Sequence, residues 1–163
     1  MGAIGYGASG AVNVGAAIYG AQQQWKAGAY NKAMGEYDAQ QLDQLARDAI
    51  DRGETEASRI GIDGKRLVGS QRAAIAGQGI DVSSGTAQAL QLDTLTQTER
   101  DMKTARLNAM AEAKGLRAKA TSTRIQGRMA KESAGDQATG TLLTGGAQAI
   151  NAGAQAYGSV KAK

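Results

Sequence analysis

The chain contains no proline in 163 residues, although 23 of those residues are glycine. An average composition would include about 5% proline, so the absence is a strong deviation. Disordered and loop-rich segments usually contain glycine and proline together, whereas proline is the residue that helix interiors exclude most strongly. The composition therefore predicts long helices with many small side chains on their surfaces.

Other missing residue types restrict the chemistry. The chain has no cysteine and no histidine, which excludes a disulfide framework, a thiol nucleophile, a serine–histidine triad and the usual kind of zinc site. We expect a protein that is not an enzyme and has no catalytic, cofactor-binding or metal-binding residues. The carboxylates between residues 48 and 56 are interpreted as a solvated helix face.

The apolar content is too weak for a large core. Hydrophobic residues make up 42% of the chain and aromatic residues only 4%, and alanine supplies nearly half of the hydrophobic residues. Buried apolar surface contributes about 25 cal/mol per Å², and alanine has little of it. We therefore expect much of the stability to come from association with other chains.

The chain is interpreted as one helical domain. The distribution of charged residues divides this domain into five segments. Residues 36–63 carry eight acidic and three basic side chains, a net charge of −5, whereas residues 99–126 carry seven basic and three acidic ones, a net charge of +4. The predicted segments are an uncharged small-residue helix (1–25), an acidic arm (26–76), a hairpin tip (77–83), a basic arm (84–136) and a second uncharged small-residue helix (137–160).

The tip contains the turn signals of the charged region. Gly77 or Gly79 suits a left-handed helix C-cap, and Ser83 or Ser84 suits the N-cap of the following helix. These signals predict that the chain reverses here between two helices.

Folding the chain about residue 81 places the acidic arm against the basic arm. Position 63 then lies opposite 99, and position 36 lies opposite 126. Each exposed ion pair contributes only about 0.2–1 kcal/mol, so the charges select the register more than they stabilise the fold. The sequence predicts a long antiparallel helical hairpin.

Small or apolar residues follow a helical period on both arms. From residue 42 to residue 75 the spacing averages 3.67 residues per step, which is close to an undistorted α-helix. We predict that these stripes form the contact between the arms. Their members are Leu42, Leu45, Ala49, Gly53, Ala57, Ile60, Gly64, Leu67 and, after the polar Gln71 that supplies one further step, Ile75 on the acidic arm, and Leu92, Leu95, Met102, Ala105, Ala109, Ala113, Leu116 and Ala120 on the basic arm.

Small residues also recur every four positions in the two uncharged segments. Positions four apart lie on one face of a helix, and helices with small residues at this spacing pack closely in lipid. We predict that these ridges mediate packing between copies of the chain. The ridge residues are Ala3, Gly7, Ala11, Gly15, Gly145, Ala149 and Gly153.

The uncharged segments are long enough to cross the roughly 30 Å hydrocarbon layer of a bilayer. Tyr19, Trp25 and Tyr157 lie near their ends, as interfacial anchors would. Their hydrophobicity is low, however, so neither segment would insert alone. Two interpretations stay open: insertion as part of a multi-chain ring, or tight packing of soluble helices within an assembly.

Two motifs suggest ligands. Residues 5–10 match G-x-G-x-x-G, but a dinucleotide site needs a preceding strand and an acidic residue about 20 positions later, and neither is present. The basic arm could contact DNA phosphates, with Arg106, Arg117 and Arg124 as candidate residues. Pairing of this arm with the acidic arm is the favoured interpretation.

The tip and its flanks resemble internal virion proteins of short-tailed, podovirus-type phages. The resemblance is carried by residues 71–87 (QRAAIAGQGIDVSSGTA) and continues with Asp93-Thr94, residues 99–101, Asn108-Ala109, Glu112-Ala113 and the small-residue stretches 15–20 and 141–146. It implies a non-enzymatic protein that is packaged near the portal and leaves the particle with the DNA. In that family one member is thought to build a channel in the host outer membrane.

We therefore expect an all-α hairpin that assembles as a ring-like homo-oligomer and helps to conduct DNA across the host envelope. The alternatives are a purely structural virion protein (core, portal-associated or tail-associated) without a membrane step, and a small nucleic-acid-binding protein. The expected location is the virion, and then the host envelope after ejection. Expected partners are further copies, other virion proteins, viral DNA and the host outer membrane.

Overall fold

The structure, a computed structural model, consists of two long helices. It describes residues 4–83 and 85–161, and it describes side chains for residues 14–83 and 85–155. Helix α1 runs over Ile4–Gly77 and helix α2 over Gly85–Lys161, and the described residues include no strand. The predicted all-α class is confirmed. Each helix continues without a break from an uncharged segment into the adjacent arm.

Backbone contacts group the chain into two compact units. The tip unit is Gln40–Ala120, and the terminal unit combines Met1–Ala39 with Thr121–Lys163. Both helices contribute a segment to each unit.

In the tip unit, α1 and α2 form an antiparallel hairpin. Gly53 lies against Ala109, and Gly64 lies against Thr98. The numbers of both facing pairs add to 162, as they do for the predicted pairing of 63 with 99. The predicted register is confirmed in this unit.

Alanine and glycine line the contact between the helices of the tip unit, which we call its seam. Ala46, Ala49 and Ala113 form a buried cluster, against which Ile50 and Leu116 pack in half-buried positions. At Gly53 the helices are so close that an added Cβ would clash with the Cβ of Ala109.

The predicted stripes are wrong at four leucines, which are all at least 40% exposed: Leu45, Leu67, Leu92 and Leu95. In α1, buried Ala46 occupies the seam beside Leu45, and half-buried Val68 lies beside Leu67. In α2 the seam near the tip is polar, because buried Gln91 takes the place predicted for Leu92. The close approach of the backbones leaves room for small side chains, so the leucines lie at the edges of the contact.

At the tip, α1 ends in a Schellman motif. The Gly79 N–H donates to the Ala76 carbonyl (2.9 Å), and the Ile80 N–H donates to the Ile75 carbonyl (3.3 Å). Gly79 has φ +73°, which glycine adopts without the steric cost of a Cβ. Of the two glycines proposed as the left-handed cap, the structure uses Gly79.

The start of α2 is organised by side-chain hydrogen bonds. The N–H of Ser83 donates to Asp81 Oδ1 (2.9 Å), and the Ser83 hydroxyl donates to the same oxygen (2.6 Å). Gly85, the first residue of α2, has φ +54°. The other proposed N-cap, Ser84, lies outside the described residues.

The helix segments of the terminal unit are also antiparallel. Gly28 lies against Ala134, and Gly35 lies against Gly127, so facing positions again add to 162. A Cβ on Gly35 would lie 3.1 Å from the Thr123 carbonyl oxygen and 3.2 Å from Gly127 Cα. The two backbones are therefore nearly in contact.

The seam of the terminal unit overlaps the predicted ridges at buried Gly145, whereas the ridge residues Gly15 and Gly153 are exposed. On α1 it contains buried Ala21, Gly28 and Gly35, which are seven residues apart. This seven-residue spacing is visible in the sequence and indicates the seam, because residues seven apart stay on one side of a helix that packs along a partner helix.

Candidate interaction surfaces

Ion pairs connect the two helices across the seam of the tip unit. Arg52 Nη2 lies 2.9 Å from Glu112 Oε1, and Arg106 Nε donates to both carboxylate oxygens of Glu54 at 3.0 and 3.1 Å. The basic arm thus pairs with the acidic arm, in agreement with the favoured interpretation. Since these side chains are largely exposed, each pair contributes no more than about 1 kcal/mol.

The three candidate DNA-contacting residues have different surroundings. Arg106 is held by Glu54, and in the terminal unit Arg124 Nε lies 3.6 Å from Glu36 Oε2. Arg117 is exposed. Contact of these residues with DNA stays a prediction.

The predicted ridge residues are not equivalent in the structure. Gly15 and Gly153 are exposed, and a Cβ added to either would meet nothing within 4 Å. Gly145 is buried and Ala149 is half-buried. The described ends of the ridges thus leave Gly15 and Gly153 accessible to another molecule.

Three further ridge residues fall outside the described side chains: Ala3, Gly7 and Ala11. Among the predicted interfacial anchors, Tyr19 and Trp25 are exposed, and the side chain of Tyr157 lies outside the described range. Within the described part of the chain, neither helix has a stretch long and apolar enough to cross a bilayer.

Most large apolar side chains among the described residues are exposed, and the others are half-buried. The buried hydrophobic side chains are all alanines, and no larger side chain is fully buried among the described residues. Many isoleucine, leucine, methionine and tyrosine side chains are instead 40–75% exposed. The burial of alanine and the exposure of many larger apolar side chains are the main surface property of the described residues.

Tyr30 and Tyr37 belong to this exposed set, and neither was among the residues predicted to form a site. Together with Tyr19 they are spaced by 11 and 7 residues, which are close to three and two turns of helix. The three tyrosines therefore lie on one face of α1. The spacing was available in the sequence, but a buried or exposed location could be assigned only once the seam was known.

A groove of about 630 Å³ in the terminal unit is lined by alanine, glycine, threonine and glutamine side chains, and no titratable group lines it. Among the described residues, no cluster of carboxylates is arranged to hold a metal ion.

Comparisons with protein-family models, with curated proteins and with solved structures find no match to this chain.

Proposed function

We propose that this chain is an internal virion protein of a short-tailed phage. Copies of it assemble into a ring-like homo-oligomer that forms part of a channel for DNA translocation across the host cell envelope. The proposal rests on the resemblance of residues 71–87 to such proteins and on the surface of the helices. Its partners are other copies, portal, core or tail proteins, viral DNA and the host outer membrane.

One observation carries the assembly part of the proposal. Small side chains dominate the seams, while most of the large apolar side chains among the described residues are at least 40% exposed. Full burial of a leucine-sized side chain contributes about 1.5–3 kcal/mol, and these side chains obtain that gain only from a second surface. Other copies of the chain supply such a surface in a ring.

The membrane step is tested by dye release from liposomes that contain outer-membrane lipids, at neutral and low pH. We expect the full chain to release trapped dye. Replacing a predicted anchor in a Trp25→Ser variant should reduce release several-fold, whereas the control Leu107→Ser, an exposed apolar residue of the tip unit, should not. Absence of release under all conditions would contradict the membrane step.

The same outward apolar surface also favours a second candidate, a purely structural virion protein. In this role the chain packs in the core or against the portal or tail and never meets a membrane. A reconstruction of the phage particle distinguishes the two roles when it is combined with the dye-release result. A protein that occupies a fixed position in emptied particles would support the structural role, because an ejected channel component leaves with the DNA.

A further inference from the structure

The side of α1 that points away from the seam of the terminal unit carries a defined set of exposed residues. Tyr19 precedes buried Ala21 by two residues, and Tyr30 and Tyr37 follow Gly28 and Gly35 by two residues. Two residues turn a helix by about 200°, so these tyrosines lie opposite the seam. They are 64%, 65% and 57% exposed.

Lys26 completes this surface, because it is exposed and precedes Gly28 by two residues. We call the set the α1 outer face. Its members are Tyr19, Lys26, Tyr30 and Tyr37.

Helix α2 has a corresponding surface in the same unit. Ile125, Asp136 and Leu143 are exposed, and each precedes a buried seam residue by two positions. Glu132, also exposed, precedes half-buried Ala134 in the same way. We call this set the α2 outer face, and its members are Ile125, Glu132, Asp136 and Leu143.

The two outer faces match position by position. Because facing positions in this unit add to 162, residues whose numbers add to 162 lie at the same height along the helix pair. Each member of one outer face has a counterpart at the same height on the other. The pairs are Tyr19 with Leu143, Lys26 with Asp136, Tyr30 with Glu132, and Tyr37 with Ile125.

The counterparts are also chemically complementary. Tyr19 and Tyr37 are each level with an aliphatic side chain, and Lys26 is level with an aspartate. Tyr30 is level with a carboxylate, which can accept a hydrogen bond from the phenol hydroxyl. Within one copy the two faces point in opposite directions, so these pairs cannot form inside the chain. The small residue Gly15, one turn before Tyr19, is likewise level with Ala147, one turn after Leu143, and both are exposed.

We propose that the α1 outer face of one copy packs against the α2 outer face of a second copy of this chain. A rotation about an axis parallel to the helices keeps every height unchanged, so it brings the matched pairs together. The contact uses different surfaces on the two copies, and such contacts form a ring when the rotation between copies closes and an open filament when it does not. The inference builds on the proposed homo-oligomer and identifies the surface that forms it.

The match is weaker in the tip unit. Asp48 is level with Lys114, which has the opposite charge, but Arg59 is level with Lys103, and all four residues are exposed. Like charges placed opposite one another oppose association. The proposed interface therefore uses the terminal unit, where every pair is complementary.

A charge-exchange experiment on the full chain tests the interface, with oligomer mass measured by sedimentation over a range of concentrations. Lys26→Asp and Asp136→Lys each place like charges across the contact, so each variant alone should weaken association by about tenfold or more. The double variant should regain association. An equimolar mixture of the two single variants should also regain it, because each contact then joins opposite charges.

The control is Lys65→Asp, an exposed residue of the tip unit that should leave the oligomer mass unchanged. Circular dichroism should show the same helix content in all variants. If wild-type and variant chains associate equally, the interface is wrong while the proposed assembly stands. If the mixture fails to recover association that both single variants have lost, the direct contact is wrong; a monomeric wild-type chain would contradict both proposals.

Discussion

At the scale of single residues, the seams depend on the absence of a side chain at a few glycines. A Cβ on Gly28 would lie 2.6 Å from the Cβ of Ala134 and 3.2 Å from Lys131 Cα. A Cβ on Gly53 would clash with the Cβ of Ala109. Because an alanine Cβ is attached directly to the backbone, relief requires one helix to move.

This geometry predicts that two Gly→Ala substitutions change the free energy of unfolding in opposite directions. Gly53→Ala should destabilise the fold by about 1 kcal/mol, because overpacking costs about 1–3 kcal/mol and exceeds the gain in helix propensity of up to about 1 kcal/mol. Gly115→Ala should stabilise it by about 0.5–1 kcal/mol, since a Cβ there meets nothing within 4 Å. Denaturant unfolding measures both, and stabilisation by Gly53→Ala would contradict the close approach.

At the scale of the elements, the hairpin tip is held together by one buried polar side chain. Gln91 is 6% exposed. Its Oε1 accepts a hydrogen bond from Arg72 Nε (2.6 Å), and its Nε2 donates to the Val82 carbonyl (2.9 Å). It therefore joins α1, the tip and α2.

Removing this side chain should loosen the tip. We expect Gln91→Ala to destabilise the protein by about 1–3 kcal/mol, because two hydrogen bonds are lost that contribute about 0.5–1.5 kcal/mol each. Amide hydrogen exchange should accelerate at residues 78–83. Gln88→Ala, at an exposed position of the same helix, serves as the control, and equal exchange in the two variants would argue against the role of Gln91.

At the scale of the whole molecule, stability and assembly are coupled, because a ligand or partner that binds only the folded state stabilises it. The predicted ridges offer a test of this coupling. Gly7→Leu combined with Gly15→Leu should lower the oligomer mass, since bulky side chains separate ridges that pack through small residues. Within one copy, a Cβ on Gly15 meets nothing within 4 Å, so at that position the hairpin itself has room.

The matched control for the ridge variant is Gly69→Leu, in the tip unit, where a Cβ also meets nothing within 4 Å. Sedimentation at several concentrations measures both variants. The ridge prediction would be overturned if the double variant kept the wild-type mass. It would equally be overturned if the control variant lost as much mass.

The sequence by itself determined the helical class and the register of the tip unit. Proline is absent, and the acidic and basic arms are complementary about residue 81, so the pairing of Gly64 with Thr98 follows from charge and period alone. Only the tertiary structure decided which side chains line the seam. Leucine and alanine at neighbouring positions, such as Leu45 and Ala46, fit the same helical period. The distance between the helices selects the smaller side chain, and that distance depends on which residues of the two helices face each other, as Gly53 faces Ala109.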